Sequence, residues 1–241
     1  MDMEHDGFSY KRVVELNNWG ESLLLSDLES SVHAFRTALD TLKGLLHDQS
    51  QSTFNHRKIG FDRGGGVYED TVGGQGPFSI DSAFFLPIHL LPSTFAYADN
   101  PVISLSLAFV FVTFNLAQTY HCHAFVDETR PISDRLLSAR SFYYKVLRFL
   151  RTVGIPGQQL RFGRELVDLV TMTSYNNLAQ IAYLLSEFEE SKDYFSQLLF
   201  FASSIDTRSY TAQAVWILEW QRMNCLNNMV LLEPPTTAAA A

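Results

Sequence analysis

Asn115-Leu116-Ala117-Gln118 and Asn177-Leu178-Ala179-Gln180 are the two stretches that decide the fold of this chain. Each lies within an apolar helical pattern, and each is followed further along the chain by a small residue and then an aromatic residue. A helical unit that recurs in this way is typical of repeat proteins, whose units bury one another's apolar faces. The recurrence therefore predicts an interaction scaffold rather than an enzyme.

Alignment of the two stretches on their small residue reveals a third, weaker copy near the start of the chain. The small residue is Gly20, Ala117 or Ala179, and asparagine lies shortly before it in every copy. A second small residue and an aromatic residue follow on the next helix, as Ser31 and Phe35, Ala139 and Tyr143, and Ser191 and Phe195. We expect the small residues to let two helix backbones approach closely while the aromatic residues fill the space beside them.

This pattern resembles the tetratricopeptide repeat, in which W-x2-L-G-x2-Y on one helix precedes A-x3-F on the next. The resemblance implies an all-α fold of antiparallel helix pairs, about seven helices in total, stacked into a short superhelix. The three copies lie further apart than the usual period of roughly 34 residues, which predicts an array with insertions. An unrelated helical bundle is the alternative.

The hydrophobic pattern divides the chain, taken as one domain over 1–241, into helix pairs and one irregular insertion. Between 49 and 100 the helical period vanishes, and glycine and proline concentrate, which predicts turns or a β-hairpin. Elsewhere the pattern predicts three helix pairs, over 8–48, 101–153 and 164–206. A capping helix over 208–231 and a disordered tail over 232–241 follow them.

Composition and charge limit the classes of function. The formal charge of −8 argues against a nucleic-acid partner, which would require a basic surface. Cys122 and Cys225 are too few for a disulfide framework, and the first residues do not resemble a signal peptide. The uncharged stretch Val102–Tyr120 fits a buried helix better than a membrane span because it carries several polar side chains. We therefore expect an intracellular protein, cytoplasmic or nuclear, without a membrane partner.

Residues of catalytic or metal-binding type are sparse. His121-Cys122-His123 has metal-ligand side chains, but adjacent residues on a helix point in different directions. The glycine runs Arg63–Gly66 and Gly73–Gly76 lack the lysine and the following helix of a phosphate-binding loop. We therefore expect no enzyme, no cofactor and no metal.

The tetratricopeptide resemblance also implies where a partner would bind. In that family the first helix of each pair lines a concave groove, and the matching positions here are Asn17, Glu21, Leu24, Phe114, Gln118, His121, Asn176, Gln180 and Tyr183. None of them is basic, which argues against a clamp for a peptide's carboxylate terminus and favours amide side chains that bind a peptide backbone. Alternatively, the chain's own Phe84–Ile88 segment fills the groove, which would make these residues part of the core.

A basic stretch gives a second candidate surface. Between 135 and 164 there are seven basic residues and no acidic one. This stretch is either a solvated helix face that pairs with the acidic turn 187–193 or a docking patch for an acidic partner. The residues of such a patch would be Arg140, Lys145, Arg148 and Arg151.

The leading hypothesis is a noncatalytic scaffold that binds a peptide or protein partner in the groove. Two alternatives stay open: a helical protein that binds a small molecule or a phosphate ligand through the basic stretch, and a structural subunit that self-associates as a homo-oligomer.

Overall fold

The computed structural model describes residues 3–24, 26–52, 88–90, 101–126, 131–153 and 164–232. Within these ranges the chain contains seven α-helices, a short 3-10 helix at Thr207–Ser209, and no strand. The helices are α1 (Met3–Leu23), α2 (Leu28–Ser52), α3 (Pro101–Val126), α4 (Ile132–Val153), α5 (Arg164–Leu184), α6 (Phe188–Ser204) and α7 (Ala212–Leu232). The all-α prediction is confirmed.

Several helix boundaries differ from the prediction, and α7 begins at Ala212 rather than at 208. Helix α1 begins at Met3, and α2 continues to Ser52, past the expected end at 48, because the stretch between 49 and 52 contains neither glycine nor proline. The remainder of the predicted hairpin insertion lies outside the described residues, apart from 88–90, which are neither helix nor strand. The chain divides into two compact units, one with α1–α4 and 88–90 and the other with α5–α7.

In the first unit, α1 and α2 form an antiparallel pair joined by a short turn. Asp27 ends this turn and accepts a hydrogen bond from the backbone N–H of Ser30, which satisfies an exposed donor of the first turn of α2. Hydrogen bonds from the Ser30 side chain and backbone lower the pKa of Asp27. The helices meet at Gly20, where an added Cβ would lie 3.0 Å from the ring of Phe35.

Helix α3 is the central helix of the first unit and packs against both α2 and α4. By length and composition, Ile103–Phe125 is apolar enough to cross a membrane, yet 83% of its most apolar part is buried inside the protein. Burial of an almost wholly uncharged helix by neighbouring helices is the usual reason for such a composition in a protein core.

The second unit repeats the helix contact of the first. Ser191 on α6 donates to the backbone carbonyl of Ala179 on α5 at 2.8 Å, as Ser31 on α2 donates to that of Gly20 at 2.7 Å. Helix α7 joins α5 through a 2.7 Å bond from Gln221 to Thr173 and packs against α6. The equivalent serine bonds indicate that the two helix pairs share one packing arrangement.

Candidate functional site

An extended segment of the chain, Ile88-His89-Leu90, lies against α1 and α3 of the first unit. The side-chain amide of Asn115 on α3 accepts from the N–H of Ile88 at 2.8 Å and donates to its C=O at 2.8 Å. Asn17 on α1 donates to the same carbonyl at 2.9 Å and accepts from Asn115 at 3.0 Å. The backbone of Ile88 is therefore held by two helices at once.

Asn18 on α1 forms the matching contact with Leu90, two residues further along the segment. Its side-chain amide accepts from the N–H of Leu90 at 2.9 Å and donates to the C=O of Leu90 at 2.8 Å. We call Asn17, Asn18 and Asn115 the asparagine clamp. Its hydrogen bonds to Ile88 and Leu90 are made to main-chain groups, and bonds of this kind hold extended backbone without selecting a particular side chain.

Side chains along the segment alternate between the core and the surface, as in a strand. Ile88 is 4% exposed and Leu90 is fully buried. His89 points outward, where its Nδ1 lies 2.8 Å from the Glu21 carboxylate and its Nε2 lies 3.0 Å from the Asn18 amide. Apolar side chains are therefore favoured at the two inner positions, and a hydrogen-bonding or cationic side chain at the outer one.

The clamp asparagines follow the internal repeat. Asn18 and Asn115 each lie two residues before the small residue of their copy, and Asn177 lies at the third such position. Asn176 donates to Asn177 at 3.3 Å, as Asn17 donates to Asn18 at 3.2 Å. The asparagine pair thus adopts the same local arrangement in α5 as in α1.

The groove positions predicted from the tetratricopeptide resemblance are mostly inaccessible. Glu21 and Tyr183 are partly exposed. The other seven are buried, namely Asn17, Leu24, Phe114, Gln118, His121, Asn176 and Gln180. Asn17 and Glu21 bind the 88–90 segment, and Tyr183 packs against the ring of Phe188. A partner-binding role for these nine residues stays a prediction.

Asn18 and Asn115 were not among the predicted site residues. The sequence contains a signal that could have found them. Asparagine lies two residues before the small residue in all three copies, whereas the preceding residue is Asn17, Phe114 or Asn176. Of the alternative occupant, residues 84–88, the structure describes Ile88, whose carbonyl accepts from Asn17, one of the predicted groove positions. Residues 84–87 lie outside the described ranges.

The His121-Cys122-His123 cluster is buried within α3. Burial lowers the pKa of His121 to about 3, and its ring lies between those of Phe125 and Tyr143. Burial raises the pKa of Cys122 to about 12, which suppresses the nucleophilic thiolate. Across the described ranges, no group of three or more His, Cys, Asp or Glu side chains is placed to hold a metal ion.

The predicted basic patch lies on the outer side of α4, and aromatic rings lie against two of its cations, Arg140 and Lys145. The Lys145 ammonium lies 4.6 Å from the ring centre of Phe142, which stacks on Tyr120 at 5.5 Å. The Arg36 guanidinium covers the Tyr120 ring at 5.9 Å and donates to the Tyr120 hydroxyl. Arg140 lies 5.9 Å from the centre of the Tyr144 ring.

No protein-family model, curated protein or solved structure matches this chain. Its function is therefore inferred from its own side chains. The tetratricopeptide resemblance stays a prediction that rests on the repeat positions given above.

Proposed function

We propose that this chain is a noncatalytic, tetratricopeptide-like scaffold that binds extended polypeptide through asparagine side chains on the first helix of each helix pair. The observation that supports it is the asparagine clamp. Asn18 and Asn115, at matching positions of two copies, each make two hydrogen bonds to the backbone of alternate residues, Leu90 and Ile88. Because the same backbone contact occurs at matching positions of two repeat copies, it supports a binding role for the repeat unit.

The geometry favours one class of ligand. Backbone hydrogen bonds supply affinity without reading sequence, and the pockets for alternate side chains supply selectivity. The two inner positions accept branched apolar side chains, as Ile88 and Leu90 show. The outer position faces the Glu21 carboxylate. A partner segment would therefore be extended and apolar at alternate positions, with histidine, lysine or arginine between them.

The chain's own segment occupies the clamp and competes with any such partner. A segment tethered to its site acts at an effective concentration of about millimolar, so that a free peptide must displace it. Release of the tethered segment should therefore expose the site. The variant Ile88→Asp/Leu90→Asp does so, because it places two carboxylates where the structure buries two apolar side chains.

Fluorescence anisotropy with a labelled peptide that copies residues 86–92 tests this proposal. We expect the release variant to bind the peptide at least tenfold more tightly than the wild-type chain, and the further change Asn18→Leu to abolish that binding. The matched control peptide carries aspartate in place of the isoleucine and the second leucine. Circular dichroism establishes that each variant is folded, and the milder Leu90→Ser variant serves if the double variant is not.

Two results would refute the clamp as a binding site. One is equal affinity of the wild-type chain and the folded release variant. The other is peptide binding in the release variant that persists after Asn18→Leu.

Self-association is a second candidate function, favoured by the surface of α7. Trp216, Met223 and Val230 are spaced by seven residues and are 53%, 56% and 68% exposed. This spacing aligns them along one side of the helix, as in the seam between two paired helices, so that a second copy of α7 is the expected partner. Light scattering should give a dimer mass at high concentration and a monomer mass for Met223→Lys. A monomer at every wild-type concentration would reject this candidate.

A further inference from the structure

A second surface, independent of the clamp, lies on the outer side of α4. Helical spacing brings together an apolar part and a cationic part, which line one shallow depression formed by Leu137, Arg140, Ser141, Tyr144, Lys145 and Arg148. We call these six residues the α4 face. Leu137 and Tyr144, its apolar members, are both more than 40% exposed.

Helix α4 gives the α4 face an excess of basic side chains. Helix α4 carries five basic residues and a single acidic one, Asp134, in its first turn. Within the described part of the chain, no carboxylate forms an ion pair with Lys145, Arg148 or Arg36. This local excess of positive charge occurs in a chain whose formal net charge is −8. The face therefore attracts an anionic partner, and the acidic remainder of the chain does not.

Aromatic stacking holds the cations in place before any ligand arrives. Lys145, Phe142, Tyr120 and Arg36 form a continuous stack across three helices, with a cation at each end. Long basic side chains lose rotamer entropy when they are fixed. Because its ring contact already restricts Lys145, less of that entropy remains to be lost when a carboxylate binds there.

We infer that the α4 face is a docking surface for a short acidic peptide that also carries an apolar or aromatic side chain. Carboxylates of the peptide pair with Lys145 and Arg148, and the apolar side chain packs on Leu137 and Tyr144. This inference does not depend on the clamp, which lies on α1 and α3.

Charge distribution favours a peptide over a broad anionic surface. Screening in physiological salt limits electrostatic attraction to about 8 Å. A membrane or a nucleic acid would extend beyond one helix face and approach a chain whose formal net charge is −8. A peptide in the depression contacts only the basic face and avoids that repulsion.

Anisotropy with a fluorescein-labelled peptide of sequence EEDWEEL tests the inference. We expect Lys145→Glu/Arg148→Glu to weaken binding at least tenfold, and Tyr144→Ala to weaken it several-fold. Added salt should weaken binding as well. The matched control is Lys11→Glu/Arg12→Glu, which changes the net charge equally at exposed positions of α1, and it should leave binding within about twofold, since distant surface charges are screened.

Several outcomes would overturn the inference. One is no binding of the peptide to the wild-type chain. Another is an equal loss of affinity in the α1 control, which would show that binding depends only on net charge. In parallel, vesicles containing phosphatidylserine and a single-stranded RNA are tested with the same variants. Tighter binding of either one than of the peptide, lost in Lys145→Glu/Arg148→Glu, would assign the face to that ligand instead.

Discussion

The side-chain amide of Asn115 forms two hydrogen bonds with the backbone of Ile88, one to its N–H and one to its C=O, both at 2.8 Å. Both groups are buried. Asn17 reaches the same carbonyl from α1, so that a single backbone position links α1, α3 and the segment between α2 and α3. This arrangement makes Asn115 a structural residue of the first unit.

Asn115→Leu should destabilise the first unit. The substitution leaves the N–H of Ile88 and the Oδ1 of Asn17 without their Asn115 bonds, and a buried polar group that loses its partner costs about 1–3 kcal/mol. We expect a loss of about 2–3 kcal/mol in urea denaturation. The control Asn227→Ala, at a half-buried position of α7, should change stability by less than about 0.5 kcal/mol. Equal effects of the two substitutions would contradict the role assigned to Asn115.

Gly20 and Gly44 give opposite expectations for replacement by alanine. Gly44 has no atom within 4 Å of an added Cβ, so Gly44→Ala should stabilise α2 by about 0.5–1 kcal/mol. At Gly20 the Cβ would lie 3.0 Å from the Phe35 ring. Overpacking should outweigh the higher helix propensity of alanine, and the free energy of unfolding should fall by about 1 kcal/mol. Thermal unfolding measures both changes. A stabilised Gly20→Ala chain would show that the helices separate at little cost.

The stability of the first unit should fall in mild acid because of His121. Its folded-state pKa of about 3 lies below the unfolded value of 6.5, so its contribution is fully present above pH 6.5 and declines as the pH falls toward 3. At pH 5 the free energy of unfolding should be lower by about 2 kcal/mol than it is above pH 6.5. His121→Phe, which keeps an aromatic ring between Phe125 and Tyr143, should flatten the pH dependence of unfolding, and the exposed control His33→Gln should not. An unchanged slope in His121→Phe would exclude His121 as its source.

Both cysteines should be unreactive in the folded chain. Burial raises the pKa of Cys122 and of Cys225 to about 12, and the Cys225 thiol also donates to the backbone carbonyl of Phe195. Thiol titration at pH 8 should detect almost no reaction until denaturant is added, after which both should react. Rapid modification of the native chain would mean that these helices open readily.

Helical periodicity was sufficient to predict the fold class, because each helix places apolar side chains at regular steps. The small residues at Gly20 and Ala179 also carried information, since they mark where two backbones approach. The clamp was harder to predict, because a three-residue extended segment is too short to show a period. Its partners on α1 lie about seventy residues earlier in the chain, and such long-range pairing leaves no local pattern.

The basic stretch was visible in the sequence, but its organisation was not. The sequence shows the excess of cations between 135 and 164, whereas the stack of Lys145, Phe142, Tyr120 and Arg36 joins residues from three helices. Only the packing of α2, α3 and α4 brings these side chains together.

Amide hydrogen exchange at residues 88–90, followed by NMR, tests the clamp most directly. The N–H groups of Ile88 and Leu90 donate to Asn115 and Asn18, whereas that of His89 has no acceptor among the described residues. We predict slow exchange at Ile88 and Leu90, fast exchange at His89, and selective loss of Leu90 protection in Asn18→Leu. Fast exchange at all three positions of the wild-type chain, or Leu90 protection that survives Asn18→Leu, would contradict the account.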